Sequence, residues 1–136
     1  MKIYYAASIW GAQGDDNFNL EMIACLKKHA TVLSEHLFLS DYKNKEHLDK
    51  KAIHDRDLAW VNEADLIVAE FTSPSLGVGY ELREAAVKGK QIVVLYKPQE
   101  GKRLSAMISG SDGAVTVFEY QNLADAKQKI EAFFKK

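Results

Sequence analysis

Residues 65–71 read Asp-Leu-Ile-Val-Ala-Glu-Phe, and residues 72–82 continue Thr-Ser-Pro-Ser-Leu-Gly-Val-Gly-Tyr-Glu-Leu. The first segment is short and apolar, which is typical of a buried strand. The second leads into a helical pattern over 78–88, and Gly89 stands where a glycine often caps a helix. A glycine-containing turn between strand and helix collects free backbone N–H groups and the positive end of the helix dipole. The stretch therefore predicts an α/β protein that binds an anion at this turn.

Strand and helix patterns alternate on both sides of this unit. The predicted strands are residues 3–7, 30–34, 66–70, 91–96 and 115–120. The predicted helices are residues 18–29, 50–64, 78–88, 103–108 and 123–134. Five strands alternating with helices predict one doubly wound parallel sheet. Ligands of such sheets bind beyond the carboxyl ends of the strands, so we expect the loops after Ala7, Phe71 and Tyr96 to surround one crevice. The polar stretch 36–49 is predicted to be a loop that could cover this crevice.

Length and composition favour a single small domain over residues 1–136. The 18 basic and 19 acidic side chains are mixed along the chain, which argues against a nucleic-acid partner. No apolar run approaches the ~20 residues of a transmembrane helix, and the first residues show no signal-peptide pattern. The single cysteine, Cys25, lies in an apolar helical pattern that also includes Leu20, Ile23, Ala24 and Leu26. We expect a buried thiol and a cytoplasmic location.

Asp57 is an unusual carboxylate because of its place on the predicted helix 50–64. The apolar side chains of that helix are spaced so that Asp57 falls on the same face as Ile53, Trp60, Val61 and Ala64. An unpaired buried carboxylate is costly, so the position requires a hydrogen-bonding partner or a functional reason. Both interpretations stay open at this point: an acid that ties down a loop, or an acid that acts on a ligand. Asp55 and Glu63 lie off this face and are predicted to be solvated.

Glu81 is the carboxylate inside the predicted anion-binding turn. An acid in the first turns of a helix can do no more than offset the helix dipole. The glycines at 77 and 79 favour a functional role, because they weaken a helix without benefit unless a ligand approaches the backbone. An anion site with a carboxylate one turn away suggests chemistry on a phosphorylated small molecule.

Several smaller signals complete the set of candidate residues. Ser75 and Ser8 are each suited to cap a helix or to bind a phosphate group. Tyr4 and Tyr5 point to opposite faces of the first strand, so at most one of them reaches a given pocket. No His, Cys or Asp cluster has metal-ligand spacing, so no metal is expected. A serine hydrolase is not predicted either, because the sequence lacks a Gly-x-Ser-x-Gly motif.

Five segments together resemble a known family. The chain is similar over nearly its whole length, and in the same motif order, to the 2'-deoxynucleoside 5'-phosphate N-hydrolases of the nucleoside 2-deoxyribosyltransferase superfamily. The matching segments are Tyr4-Tyr-Ala-Ala-Ser-Ile9, His54-Asp-Arg-Asp-Leu-Ala-Trp60, Ala64-Asp-Leu-Ile-Val-Ala-Glu70, Pro74-Ser-Leu-Gly-Val-Gly-Tyr-Glu-Leu82 and Leu104-Ser-Ala-Met-Ile108.

The resemblance implies a homodimeric, flavodoxin-like three-layer sandwich that acts on a small nucleotide without a cofactor. By this resemblance Glu81 is the catalytic glutamate, Asp57 its partner aspartate, and Tyr4 the tyrosine near the sugar. Ser105 would reach the neighbouring subunit's site. The positions expected to bind the substrate or its phosphate are Ser8, Ile9, Ser75, Gly77, Gly79, Ser105 and Met107.

Two positions depart from the family pattern, and three functions remain to be separated. Trp10 stands where the hydrolases commonly have an arginine that helps to hold the phosphate, and Ala7 replaces a usual glycine. The first expectation is hydrolysis of deoxynucleoside 5'-monophosphates to a free base and 2-deoxyribose 5-phosphate. The alternatives are a deoxyribosyltransferase acting on unphosphorylated nucleosides, which Trp10 favours, and a nucleotide-binding regulatory module without turnover. Retention of both Glu81 and Asp57 argues against the last.

Overall fold

A computed structural model describes residues 1–8, 16–39, 47–111 and 113–136 of the chain. The strands are β1 Lys2–Ala6, β2 Thr31–Val32, β3 Leu66–Glu70, β4 Gln91–Tyr96 and β5 Val115–Glu119. The helices are α1 Asp16–Lys27, α2 Lys50–Glu63, α3 Leu76–Val87, α4 Ala106–Ser109 and α5 Leu123–Phe134, with a 3₁₀ helix at Glu35–Phe38.

All five strands run parallel in one sheet of order β2-β1-β3-β4-β5. The doubly wound parallel sheet predicted from the sequence is confirmed. Strand order reverses at β1, which pairs with β2 on one side and with β3 on the other. The carboxyl ends of β1 and β3 therefore flank the crevice in which this class of sheet binds ligands.

The sheet separates two hydrophobic cores, and β1 contributes alternate residues to each. Ile3 and Tyr5 pack with α1 and α5, whereas Tyr4 and Ala6 pack with α2 and α3. The two adjacent tyrosines therefore lie on opposite faces, as their spacing predicts. Both are almost completely buried.

The edge strand β2 is shorter than predicted because a side chain, and not the backbone of a longer β2, forms the hydrogen bonds to Tyr5 of β1. The buried Ser34 hydroxyl accepts a hydrogen bond from the Tyr5 amide at 3.0 Å and donates one to the Tyr5 carbonyl at 2.7 Å. These contacts take the groups that a longer β2 would pair, and the chain turns into the 3₁₀ helix. The prediction of a loop throughout 36–49 was wrong for this first part.

The helix termini and the buried thiol follow the sequence pattern more closely. Gly89 has a φ of 70° just after α3, and this left-handed conformation suits glycine at the end of a helix. Cys25 is buried, as predicted, but Leu20 and Ala24 of the same helix are exposed. Met22 takes a place in the core instead. Among the described residues, none of the helices has the length and apolar character needed to cross a membrane.

Candidate active site

Three side chains from three elements form a cluster on the α2/α3 side of the sheet, in which Tyr4 is buried and the two carboxylates are largely shielded from solvent. Tyr4 comes from β1, Asp57 from α2 and Glu81 from α3. The Tyr4 hydroxyl forms a hydrogen bond with the Glu81 carboxylate, and both carboxylates act electrostatically on the Tyr4 phenol. Residues that are far apart in sequence are thus brought within reach of one another. The structure places together the three residues that the sequence selected as candidates for chemistry.

Burial determines the protonation of this cluster. Desolvation and then the negative charge of Asp57 raise the pKa of Glu81 to about 8, while the hydrogen bond from Tyr4 acts in the opposite direction. The pKa of Tyr4 lies well above its usual range because of burial and the neighbouring charges of Glu81 and Asp57. In the ligand-free site at neutral pH, Glu81 is therefore mostly protonated.

Asp57 has a cationic partner that the sequence analysis did not identify. Its Oδ1 accepts a hydrogen bond from Arg56 Nε at 3.0 Å, and both side chains are less than one-fifth exposed. The Arg56 guanidinium lies 5.0 Å from the centre of the Trp60 ring, within the range of a cation–π contact. The Trp60 ring in turn lies 6.5 Å from the Tyr4 ring. The signal in the sequence was an arginine four residues before a tryptophan on one helix.

Contacts between α2 and α3 fix the separation of the two carboxylates. His54 Nε2 is 3.0 Å from the Tyr80 hydroxyl, and the two rings meet edge to face at 5.5 Å. About two turns further along α2 and one turn further along α3, Asn62 Nδ2 donates to Glu84 Oε1 at 3.3 Å. Because Asp57 lies between His54 and Asn62, and Glu81 between Tyr80 and Glu84, these paired contacts brace the site from both ends. As predicted, Asp55 and Glu63 are exposed.

The first turn of α3 offers open space and free donors beside Glu81. Ser75 caps the helix, its Oγ accepting from the Val78 amide at 3.3 Å. A Cβ added to Gly77 would meet only Ser75 Oγ, at 3.9 Å, and one added to Gly79 would meet nothing within 4 Å. No acidic side chain stands in this first turn. The helix terminus therefore presents its dipole and its backbone to a ligand without steric obstruction.

Three other predicted site residues that the structure describes do not belong to the cluster of Tyr4, Asp57 and Glu81. Ser105 caps the short helix α4 and accepts from the Met107 amide at 3.2 Å. The Met107 side chain is 81% exposed, and Leu76 at the start of α3 is 97% exposed. Ser8 follows β1 and lines a cavity on the α1/α5 side. Ile9 lies outside the described residues. No three His, Cys, Asp or Glu side chains form a metal-binding group in the part of the chain that the structure describes.

Comparison with known proteins identifies the family. Residues 3–108 match the model of the nucleoside 2-deoxyribosyltransferase family. The chain belongs to this family. A protein of Trichoplax adhaerens, provisionally named 2'-deoxynucleoside 5'-phosphate N-hydrolase 1, is 44% identical over 97% of the chain and 92% of its own length. The 5-hydroxymethyl-dUMP N-hydrolase of Tetraodon nigroviridis is 41% identical over 98% of the chain and 97% of its own length. The resemblance found in the sequence motifs is confirmed.

A solved structure supports the fold assignment. The CMP N-glycosidase of Clostridium botulinum superposes with a TM-score of 0.75 at 19% identity, covering 98% of this chain and 99% of that one. This family member therefore has the fold of a nucleoside deoxyribosyltransferase-like α/β sandwich, with the Tyr4, Asp57 and Glu81 cluster on the α2/α3 side of its sheet.

Proposed function

We propose that this family member hydrolyses the N-glycosidic bond of 2'-deoxynucleoside 5'-monophosphates, releasing a nucleobase and 2-deoxyribose 5-phosphate. The observation that carries the proposal is the pair of carboxyl groups, Glu81 and Asp57, buried with Tyr4 beside an unobstructed helix terminus. Cleavage of this bond develops positive charge at C1' and negative charge on the departing base. A carboxylate and a carboxylic acid in one dry site meet both requirements.

The proton held by Glu81 is enough for the whole reaction. It first passes to Asp57; Glu81, now the carboxylate, attacks C1' while the bond to the base breaks, and Asp57 delivers the proton to the base. Water then attacks C1' of the glycosyl–Glu81 ester, and its proton goes to Asp57. The products are the base and the sugar phosphate, and return of the proton to Glu81 restores the starting state. Tyr4 holds Glu81 in position through its hydrogen bond. No cofactor takes part.

The 5'-phosphate is assigned to the turn before α3 and to a second subunit. The Ser75 hydroxyl and the backbone amide of Gly77 supply donors at the positive end of the helix. Gly79, whose amide donates to the Ser75 carbonyl at 3.0 Å, leaves space for the ligand. Ser105 of the partner subunit would complete the site in a homodimer, with Met107 beside it. The exposed apolar side chains of Leu76 and Met107 support a protein contact at these helices, because large apolar groups of this kind are commonly covered in assemblies. Ser8, which follows β1, is assigned to the same substrate, as is Ile9 by its place in the sequence.

The names of the relatives suggest the first substrate to test. Several are 5-hydroxymethyl-dUMP N-hydrolases, including those of Tetraodon nigroviridis and Danio rerio, so this modified nucleotide is the first substrate to test.

The buried free thiol of Cys25 suits a reducing compartment, and we assign the activity to the cytoplasm.

The decisive experiment measures base release from a panel of deoxynucleotides and deoxynucleosides by chromatography. The expected result is release from 5'-monophosphates that falls by at least roughly 1,000-fold in Glu81→Gln, as for loss of a group that acts in the transition state. Glu84→Gln is the matched control, because it changes an acid one turn later on α3 and keeps an acceptor for Asn62.

The same panel separates the alternatives. A preference for unphosphorylated nucleosides, with transfer of the sugar to an added base, would identify a deoxyribosyltransferase, and Trp10 in place of the family arginine is the observation that favours it. Binding of nucleotides without any base release would identify a regulatory module.

A further inference from the structure

A second cavity lies on the α1/α5 side of the sheet, opposite the Glu81 cluster. Its volume is about 500 Å³, which is within the range of small-molecule sites. The ends of β1, β3, β4 and β5 and the first turns of α1 and α5 form its walls. Here it is called the α1/α5 cavity. Neither Glu81, Asp57 nor Tyr4 lines it.

Asn19 is a buried polar group that faces this cavity with unused donors. The residue is only 4% exposed. Its Oδ1 accepts a hydrogen bond from the Tyr5 hydroxyl at 2.8 Å, and this contact fixes the orientation of the amide. Among the described residues, no group accepts a hydrogen bond from the Asn19 Nδ2. The amide nitrogen is not among the fully buried side-chain atoms that lack a partner, so it reaches the open space of the cavity, where it can donate to an acceptor that enters.

Two lysines give the cavity a positive rim. Lys97 follows β4, and its backbone amide is held by Thr72 Oγ1 at 3.0 Å. A tight turn then returns the chain, with Gly101 at a φ of 72° and the Lys102 amide bonded to the Gln99 carbonyl at 3.1 Å. Both lysine side chains line the cavity, and neither forms an ion pair with any of the described residues. The turn thus places two unpaired cations at one opening.

Glu70 is the acidic residue in the lining, and it is already engaged. Its two oxygens accept hydrogen bonds from the Tyr120 hydroxyl and the Thr72 amide, each at 2.6 Å. Burial raises the pKa of Glu70, and the hydrogen bonds from Tyr120 and Thr72 act in the opposite direction. The Tyr120 ring stacks on Phe18 at 5.1 Å and closes the inner wall with flat apolar surface. The cavity therefore combines a cationic rim with a wall that accepts and donates hydrogen bonds.

We propose that the α1/α5 cavity is a second ligand site that binds a sugar phosphate, either free or as part of a nucleotide. Lys97 and Lys102 bind the phosphate, Asn19 donates to a ligand oxygen, and Glu70 accepts from a sugar hydroxyl. Its proposed ligand contacts lie on the α1/α5 side, whereas Glu81 and Asp57 lie on the α2/α3 side; Ser8, at the end of β1, lines the cavity and is also assigned to the catalytic substrate. The proposal does not depend on the proposed function, because Asn19, Glu70, Lys97 and Lys102 have no part in that reaction.

The Asn19 side-chain amide provides a direct test by NMR. The ¹⁵N-labelled chain is titrated with ribose 5-phosphate, and the Asn19 Nδ2 signals are followed. The expected result is a saturable shift with a Kd of about 1 mM or tighter. Inorganic phosphate should bind more weakly, and ribose alone should leave the signals unmoved. The shift should persist with unchanged affinity in Gly79→Ala, whose added methyl group occupies ligand space at the proposed catalytic site.

A pair of double variants completes the test. Lys97→Ala/Lys102→Ala should weaken binding at least about tenfold, because charge-assisted hydrogen bonds to the phosphate are lost. Lys88→Ala/Lys135→Ala removes the same net charge elsewhere on the surface and should leave the affinity unchanged. Equal affinities in the two double variants, or Asn19 signals that do not move with any of the three probes, would overturn the proposal. A shift that weakens in Gly79→Ala would assign the binding to the catalytic site instead.

Discussion

At Glu81, burial and the charge of Asp57 both favour the neutral carboxyl group, and the Tyr4 hydroxyl opposes them. The group thus resists ionisation in the folded protein far more than in the unfolded chain, where its ordinary pKa is near 4.5. Shielding Glu81 from water therefore lowers the stability of the folded protein at a pH where this carboxyl group is ionised. Two predictions at the scale of single residues follow from this difference.

The first prediction concerns stability as a function of pH in Glu81→Gln. Because the pKa of Glu81 is raised to about 8, the folded state holds more protons than the unfolded state between pH 4.5 and 8. The free energy of unfolding of the parent protein therefore falls as pH rises through this window. Glutamine does not titrate, so the variant should match the parent near pH 5 and exceed it by about 2–4 kcal/mol at pH 9. Urea unfolding at several pH values measures this difference.

Glu84→Gln serves as the control for that series. The pH dependence of its stability should follow that of the parent, because Glu81 and its raised pKa remain in this variant. If the Glu81→Gln and parent curves stay parallel from pH 5 to 9, Glu81 is not held neutral by its surroundings.

The second prediction uses Asp57→Asn to remove the charge that acts on Glu81. The pKa of Glu81 should drop by about one unit, because the like charge no longer opposes ionisation. Base release should fall by at least about 100-fold, because the acid that assists the leaving base is lost. Carbon NMR of the glutamate carboxyl groups reports the pKa, and chromatography reports the rate. Asp55→Asn, an exposed neighbour paired with Lys51, should change neither. A normal rate in Asp57→Asn would make Asp57 a purely structural partner of Arg56.

Sequence reasoning reaches some site residues and not others for a physical reason. Glu81 and Asp57 could be selected because each is a carboxylate in an apolar setting, and that contrast is visible in one sequence. Arg56 could not be selected in this way. Its helix position is one residue from Asp57, and only the packing of Trp60 shows that the guanidinium turns back over the ring instead of into solvent.

At the scale of elements, the first turn of α3 combines low helix propensity with open space. Gly79 lies inside the helix, and an added Cβ would meet nothing within 4 Å. Alanine at this position should raise the free energy of unfolding by about 0.5–1 kcal/mol, because glycine loses more backbone entropy in a helix. Under the proposed function the same methyl group occupies ligand space, so KM for the nucleotide should rise.

Thermal unfolding and steady-state kinetics together check the Gly79→Ala prediction. Gly89→Ala is the contrasting control, because its φ of 70° disfavours any side chain and should make that variant less stable than the parent. An unchanged KM in a stabilised Gly79→Ala protein would place the ligand away from this turn.

Elements were predicted best where the local pattern and the tertiary structure agree. β3 and β4 were located correctly because buried central strands are continuous apolar runs. β2 was overestimated because the Ser34 hydroxyl takes over the pairing of Tyr5, a contact across 29 residues. The exposure of Leu20 likewise depends on which face of α1 packs against α5. The spacing of apolar residues within α1 alone does not show where α5 lies.

At the scale of the whole molecule, the proposed homodimer predicts complementation between two defective chains. If Ser105 completes the partner's site, a heterodimer of Glu81→Gln and Ser105→Ala has one intact site and one doubly defective site. Equal mixing with free subunit exchange should therefore recover about a quarter of the parent activity from two weak parents. Base release measured before and after exchange gives the answer.

A second mixture provides the matched control. Glu81 and Asp57 belong to the same chain's site, so a heterodimer of Glu81→Gln and Asp57→Asn keeps one lesion in each site and should show no recovery. Absence of recovery in both mixtures, with exchange demonstrated and Ser105→Ala clearly impaired, would mean that each site is built from one chain.

The position of β1 in the sheet has a consequence for synthesis on the ribosome. β1 is an inner strand, and its longer pairing is with β3, which follows about sixty residues later. The nascent chain therefore exposes β1 for as long as the intervening segment takes to emerge, and closing so long a loop costs entropy before any pairing is gained. A chain stalled before residue 66 presents an unpaired apolar strand to chaperones and to other nascent chains. Tyr4 is the first of the three site residues to be synthesised, and it cannot take its place until β3 has followed it out of the ribosome.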